Sequence, residues 1–255
     1  MRPLDLNCDM GESYGRFTLG QDAAVMKFIT SANIACGFHA GDFSTMRRTV
    51  DLAIEHDVAI GAHPSFPDLQ GFGRRAMELT PEEVYELVVY QIGALWGFVR
   101  AAGGTLRHVK PHGMLHNMAA VQQPLAAAIV RAVLAVDPTL HLYALSGSEM
   151  TRAAEKQGLA VAHEVFADRT YQQNGTLTPR TQPNAMLHDP ALAVQQVLHM
   201  VNDGKVRATD GEMVSIRADT VCIHGDGEHA LEFVSHLHTA LIQRGVQLIA
   251  PGRPK

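Results

Sequence analysis

The chain has 255 residues, 46% of them hydrophobic and 18% charged, with a formal net charge of −5. This is a globular balance, and an acidic chain without a basic stripe does not favour nucleic acid or anionic membrane. No apolar run approaches the ~20 residues of a membrane span, and the opening MRPLDLNCDMG turns polar too early for a signal peptide, so a cytoplasmic protein is expected.

Residues 4–7 read as a strand, 22–29 as a helix, 31–35 as a strand, 45–57 as a helix and 58–62 as a strand. A Pro/Gly-rich loop, 64–79, follows. Thr80-Pro81-Glu82-Glu83 then has the form of a helix start, with Thr as N-cap, Pro at the first helical position and Glu at the third. Val84, Leu87, Val88 and Leu95 hold one face to about residue 102, and Gly103-Gly104 stops the helix. The next elements are a strand at 106–109, an Ala-rich helix at 124–136, a strand at 140–145, a helix at 149–157 and a strand at 159–166. A helix at 190–202 precedes a segment, 205–214, that reads as a short hairpin. A strand at 220–223, a helix at 228–244 and a strand at 246–249 complete the chain.

This alternation implies parallel strands joined by crossover helices, an α/β fold. A closed barrel and an open doubly wound sheet both satisfy it. The positions of the polar motifs favour an irregular β/α barrel of about seven parallel strands. No linker, low-complexity segment or repeat interrupts the chain, so residues 1–255 read as one domain. Cys8, Cys36 and Cys222 show no paired spacing and lie in apolar stretches, and buried free thiols are expected.

The polar motifs follow the strands: NCDMGE (7–12), NIACGFHAGD (33–42), GAHPSFPDLQGFGRR (61–75), KPHGMLHN (110–117), SGSE (146–149), EVFADRTYQQNG (164–175) and HGDGE (224–228). Segments entering the strands are plain, such as EHDVA and AAGGTL. Active sites of α/β folds lie at the carboxyl ends of the strands, so one-sided loading points to an enzyme.

Each motif admits specific chemistry. Asp9 and Glu12 with His39 and His63 suit either metal-free acid/base work or a divalent metal held by Asp9, His39 and His63. Asp42 or Ser44 can cap the following helix, whose N-terminus would then favour an anion. Arg74 and Arg75 can clamp a carboxylate or phosphate, with one of the two in contact with substrate. Lys110, at a strand end, can neutralise a developing oxyanion, and His112 beside it is an acid/base candidate. Glu164, Asp168 and Arg169 form another cluster, with Tyr171 near and Arg180 as a further anion ligand. In the last motif, Asp226 can orient His224. Asn7 and Asn33 complete the set of expected substrate contacts. No phosphate-loop, dinucleotide or nucleophile-elbow motif is present.

At these segments the sequence resembles the LamB/YcsF family. NCDMGE, NIACGFHAGD, GAHPSFPDLQGFGRR, KPHGMLHN, EVFADRTYQQNGTLTPR and CIHGD occur in family order across almost the whole chain. The resemblance implies a glycoside hydrolase/deacetylase-like barrel and ATP-dependent opening of 5-oxoproline to glutamate. It also implies two partners, 5-oxoprolinase subunits B and C, to which ATP binding would largely fall. The family often has Ala-Leu-Tyr where this chain has Met114-Leu115-His116, and Asp at the place of Asn174. Two rival functions also fit the residues: a metal-dependent amidase or deacetylase acting without ATP, and a non-catalytic subunit that presents substrate.

Overall fold

Period-two alternation inside the first strand sets the architecture. In β1 (Asp5–Met10), Leu6, Cys8 and Met10 alternate with Asp5, Asn7 and Asp9, and all six residues are buried. A strand buried on both faces belongs to a parallel sheet covered by helices. The computed structural model, which describes residues 3–223 and 230–253, has that arrangement. Leu6, Cys8 and Met10 join the apolar layer beneath the helices. Asp5 and Asn7 bond to Thr220, and Asp9 bonds to Asn33 and to Lys110, all on the interior side.

Among the described residues, seven strands close into a barrel in the order β1, β2 (Ser31–Ala35), β3 (Ala59–His63), β4 (Leu106–Val109), β5 (His141–Leu145), β6 (Val161–Phe166) and β9 (Thr220–Ile223). Every neighbouring pair is parallel, and β9 closes the ring by pairing with both β6 and β1. The helices are α1 (Asp22–Val25), α2 (Phe43–Glu55), α3 (Pro81–Ala101), α4 (Gly113–Val121), α5 (Gln123–Val136), α6 (Glu149–Gln157), α7 (Pro190–Asp203) and α8 (Ala230–Gln243). Among them no single helix is long and apolar enough to cross a membrane. The start of α3 follows the sequence signal: Thr80 and Glu83 form a reciprocal capping box, with Pro81 opening the helix.

The expected hairpin is present as antiparallel β7 (Lys205–Arg207) and β8 (Met213–Ser215). Four local expectations change. β1 runs three residues beyond 7, because the ladder to β2 continues through Asp9↔Asn33 and Met10↔Ile34. The helix expected at 22–29 is α1 followed by a 3-10 turn, Met26–Phe28; the chain then extends so that the Thr30 amide donates to the Leu6 carbonyl. Residues 113–117, given no helix or strand from the sequence, are the first part of α4, whose Leu115 and Ala119, four apart, are buried. The strand expected at 246–249 is one parallel bridge, Leu4 to Leu248. The helix expected from 228 is α8 from Ala230 onward, and Glu228 lies outside the described residues.

Candidate active site

The interior of the barrel is polar at the carboxyl ends of its strands, and Lys110 is its hub. This residue follows β4 directly and is 2% exposed. Its Nζ lies 2.8 Å from Asp9 Oδ1, 3.0 Å from Glu164 Oε1, 3.2 Å from Asn7 Oδ1 and 2.9 Å from Cys222 Sγ. Burial works against the ammonium charge, but Asp9 and Glu164 outweigh it and hold its pKa well above the ordinary value. Burial likewise pushes Glu164 up, yet Lys110 prevails and holds that carboxyl below the usual range. A buried ion pair persists only when its remaining polar atoms are also satisfied. Asn33 does this by donating to Asp9 Oδ1 (2.9 Å) and Asn7 Oδ1 (2.7 Å), while Asn7 donates to Thr220 Oγ1 (2.6 Å). His108 donates from Nε2 to Asn33 Oδ1 at 2.8 Å and stacks on Tyr143. A Cβ on Gly61 would collide with the His108 ring, so only glycine fits opposite it on β3.

A second cluster borders Asp9. His39 follows β2, His63 ends β3, His112 lies two residues beyond Lys110, and Glu12 lies two beyond β1; all four are buried. His63 Nδ1 lies 2.6 Å from the Lys110 carbonyl oxygen, and His112 Nε2 lies 2.9 Å from that of Phe72. His112 Nδ1 and His63 Nε2 are 2.9 Å apart. His39 stacks on His112 with ring centres 3.8 Å apart. Burial holds the His39 and His112 imidazoles well below their ordinary pKa. Glycine is required where the 64–79 loop meets this cluster. Gly73 (φ +64°) lies against the His39 and His112 side chains, and Gly113 (φ +58°) lies against the Gly73 carbonyl.

Both clusters open to a cavity of about 470 Å³ floored by Asp9, His63 and Lys110. Arg74, Arg169 and Arg180 stand on its wall. Buried Arg169 is pinned by Nε donating to the Ala185 carbonyl (3.2 Å) and Nη2 to that of Thr178 (2.6 Å). Burial, and then Arg180, lower its pKa to about 10, so it stays cationic at neutral pH. His116, also on the wall, has Nε2 3.4 Å from Glu164 Oε2. Cations on the wall, with the Asp9 carboxylate and imidazoles at the floor, suit a small anionic molecule that exchanges protons.

The structure brings together Asn7, Asp9, Glu12, Asn33, His39, His63, Lys110, His112 and Glu164, with Arg74 and Arg169 on the same cavity. It sets two expected contacts apart. Asp42 caps α2, accepting from the Thr45 and Gly15 amides, which lowers its pKa. Arg75 pairs with Asp68, and its side chain is 64% exposed. His224 and Asp226 lie outside the described residues. The metal-type group also differs from Asp9, His39 and His63. Among the described residues, donor atoms of Glu12, His39, His63 and His112 all lie within 4.8 Å of one another; Asp9 adjoins them, with Oδ2 3.3 Å from His63 Nε2 and Oδ1 bonded to Lys110 and Asn33. His108, Thr220 and Cys222 were missed as parts of the network. The available signal was the polar half of the alternation within the strands. All three cysteines are buried free thiols, and burial pushes Cys36 up to about 12.

The sequence profile of the LamB/YcsF family matches residues 4–254. The 5-oxoprolinase A subunit of Brevibacillus brevis is 60% identical over 250 residues, covering 98% of each chain. Its namesake from Geobacillus kaustophilus is 60% identical over 253 residues, covering 99% of this chain and 98% of its own. Among solved structures, the lactam utilization protein of Thermus thermophilus superposes with a TM-score of 0.92 at 48% identity, over 98% of this chain and 100% of that one.

Proposed function

Because this chain belongs to the LamB/YcsF family, we propose that it is the A component of a 5-oxoprolinase, opening 5-oxoproline to L-glutamate as ATP becomes ADP and phosphate. Its partners in this reading are the B and C subunits, which hold most of the nucleotide. The names of the 60%-identical relatives and of the Thermus thermophilus neighbour support the substrate class. The observation that carries the reading is one cavity bounded by an ammonium, a carboxylate, imidazoles and three guanidiniums.

A five-membered lactam is a resonance-stabilised amide that water attacks slowly. Phosphoryl transfer from ATP to the amide oxygen forms an O–P bond and makes the ring carbon electrophilic. Water then adds, the C–N bond breaks with a proton passing to nitrogen, and a second water releases phosphate from the acyl phosphate. The arginine wall holds the substrate carboxylate and the phosphoryl oxygens, fixing the ring over the floor. Lys110 stabilises negative charge at the lactam oxygen. Asp9 accepts the proton of attacking water, and His116, beside Glu164, returns one to the leaving nitrogen. The Glu12–His39–His63–His112 group favours one second reading, ring opening without ATP, and omitting the nucleotide separates the two.

The test is turnover in the complex reconstituted with the B and C subunits. Wild type is expected to release glutamate and phosphate in equal amounts, only with ATP. Lys110→Met and Asp9→Asn are expected to lower kcat by roughly 100-fold or more. Arg180→Ala is expected to raise KM for 5-oxoproline with kcat little changed. Full activity in both Lys110→Met and Asp9→Asn sinks the reading.

A further inference from the structure

We propose that Glu12, His39, His63 and His112 form a four-ligand site for a divalent first-row transition metal of the zinc class. The argument starts from two backbone carbonyls, which can only accept hydrogen bonds. His63 Nδ1 lies 2.6 Å from the Lys110 oxygen, so that nitrogen carries the proton. His112 Nε2 lies 2.9 Å from the Phe72 oxygen, so it too carries its proton. The remaining nitrogens, His63 Nε2 and His112 Nδ1, present lone pairs to each other across 2.9 Å. Two lone pairs at that distance repel unless positive charge lies between or beside them.

A proton on His63 Nε2, which also lies 3.3 Å from Asp9 Oδ2, would answer for that one pair. It leaves His39 unexplained. That side chain is fully buried, and neither ring nitrogen has a hydrogen-bond partner, an expensive state for an imidazole. His39 Nε2 lies 3.5 Å from Glu12 Oε1, which in turn lies 3.7 Å from His112 Nδ1, and the donor atoms of all four side chains lie within 4.8 Å of one another. A tetrahedral ion with bonds of about 2.1 Å keeps its ligand atoms about 3.4 Å apart. Three of the six separations, 2.9, 3.5 and 3.7 Å, bracket that value, and all six lie within 4.8 Å. One cation engages all four side chains once the His39 ring turns out of its stack on His112, on which it lies 3.8 Å centre to centre.

The surroundings agree. A ligating histidine gives its other N–H to a carbonyl or carboxylate, which fixes its tautomer, and the Lys110 and Phe72 carbonyls do this for two of the three. Phe72 adopts φ +55°, a costly conformation for a residue with a side chain, and it is the residue whose carbonyl meets His112. Three nitrogens and one carboxylate oxygen suit zinc, cobalt, manganese or iron(II) rather than calcium or magnesium, which take oxygen ligands. A bound ion supplies Lewis-acid polarisation of an oxygen at the cavity floor beside Asp9. The inference rests on the donor geometry and is independent of the lactam reading.

The test uses the full chain, purified without chelator for elemental analysis, then stripped and titrated with Co²⁺ and Zn²⁺. One equivalent per chain is expected, with the visible absorption of four-coordinate Co²⁺, displaced stoichiometrically by Zn²⁺. His112→Gln and Glu12→Gln are expected to bind roughly tenfold or more weakly, and Asp42→Asn to bind as wild type. Circular dichroism controls for folding, and Zn²⁺ is expected to raise the Tm of stripped wild type but not of the two ligand variants. Wild type without stoichiometric metal or the Co²⁺ band, or undiminished binding by both ligand variants, overturns the proposal. Stoichiometric metal in a protein without lactam turnover upholds this site and removes the function; full turnover by a protein that binds no metal does the reverse.

Discussion

At the scale of residues, burial decides what a polar side chain does here. His108 shows this outside the proposed metal ligands. Its Nε2 donates to Asn33, its Nδ1 meets no partner, and burial followed by the Lys110 charge holds its pKa well below the ordinary value. The unfolded imidazole titrates near pH ~6.5. Above that pH both states are neutral and His108 does not affect stability. Below it the unfolded chain takes up a proton that the folded chain refuses, so stability is lost as pH falls from there toward the folded value. One such proton contributes a slope of up to about 1.4 kcal/mol per pH unit. Urea denaturation of wild type and His108→Gln between pH 7 and 5 is expected to show a shallower acid slope in the variant; equal slopes reject the assignment. Lys110 was legible in the sequence because Val109 and Pro111 flank it at a strand end. Arg75 was not distinguishable from Arg74, because the Asp68 partner that removes it is set by how the loop folds back.

At the scale of elements, caps and stops were legible wherever the signal is local. The Thr80–Glu83 box is the clearest case, with the Glu83 amide donating to Thr80 Oγ1 at 3.2 Å and the Thr80 amide to Glu83 Oε2 at 2.7 Å. Thr80→Ala is expected to cost about 1 kcal/mol in the denaturation midpoint and to leave kcat/KM unchanged, because the cap does not line the cavity. An unchanged midpoint would mean that tertiary packing alone holds the start of α3. Elements that depend on a neighbour were less legible. α4 is nine residues long and opens on His112 and Gly113, residues that carry no helix signal in the sequence. The extra residues of β1 are in the strand because β2 pairs with them, not because Asp9 favours a strand.

At the scale of the whole molecule, β9 pairs with both β6 and β1, which ties Asp5 to Thr220 by a side-chain hydrogen bond across 215 residues. We infer from this closure that the chain unfolds as one cooperative unit. Far-UV circular dichroism and the fluorescence of Trp96 on α3 are expected to give coincident urea transitions, and separated midpoints would divide the chain into independent parts. The order of strands and helices, the parallel sheet, and the loading of polar motifs at one end were determined by the sequence alone, because hydrophobic period and turn chemistry act over a few residues. Only the tertiary structure decided that Asp9, Lys110 and Glu164 share one buried network, that Asp42 caps a helix instead of lining the cavity, and that Glu12 and His112 join His39 and His63. Those pairings follow from strand register around a closed barrel, where residues far apart in sequence become neighbours, and no local pattern encodes that register.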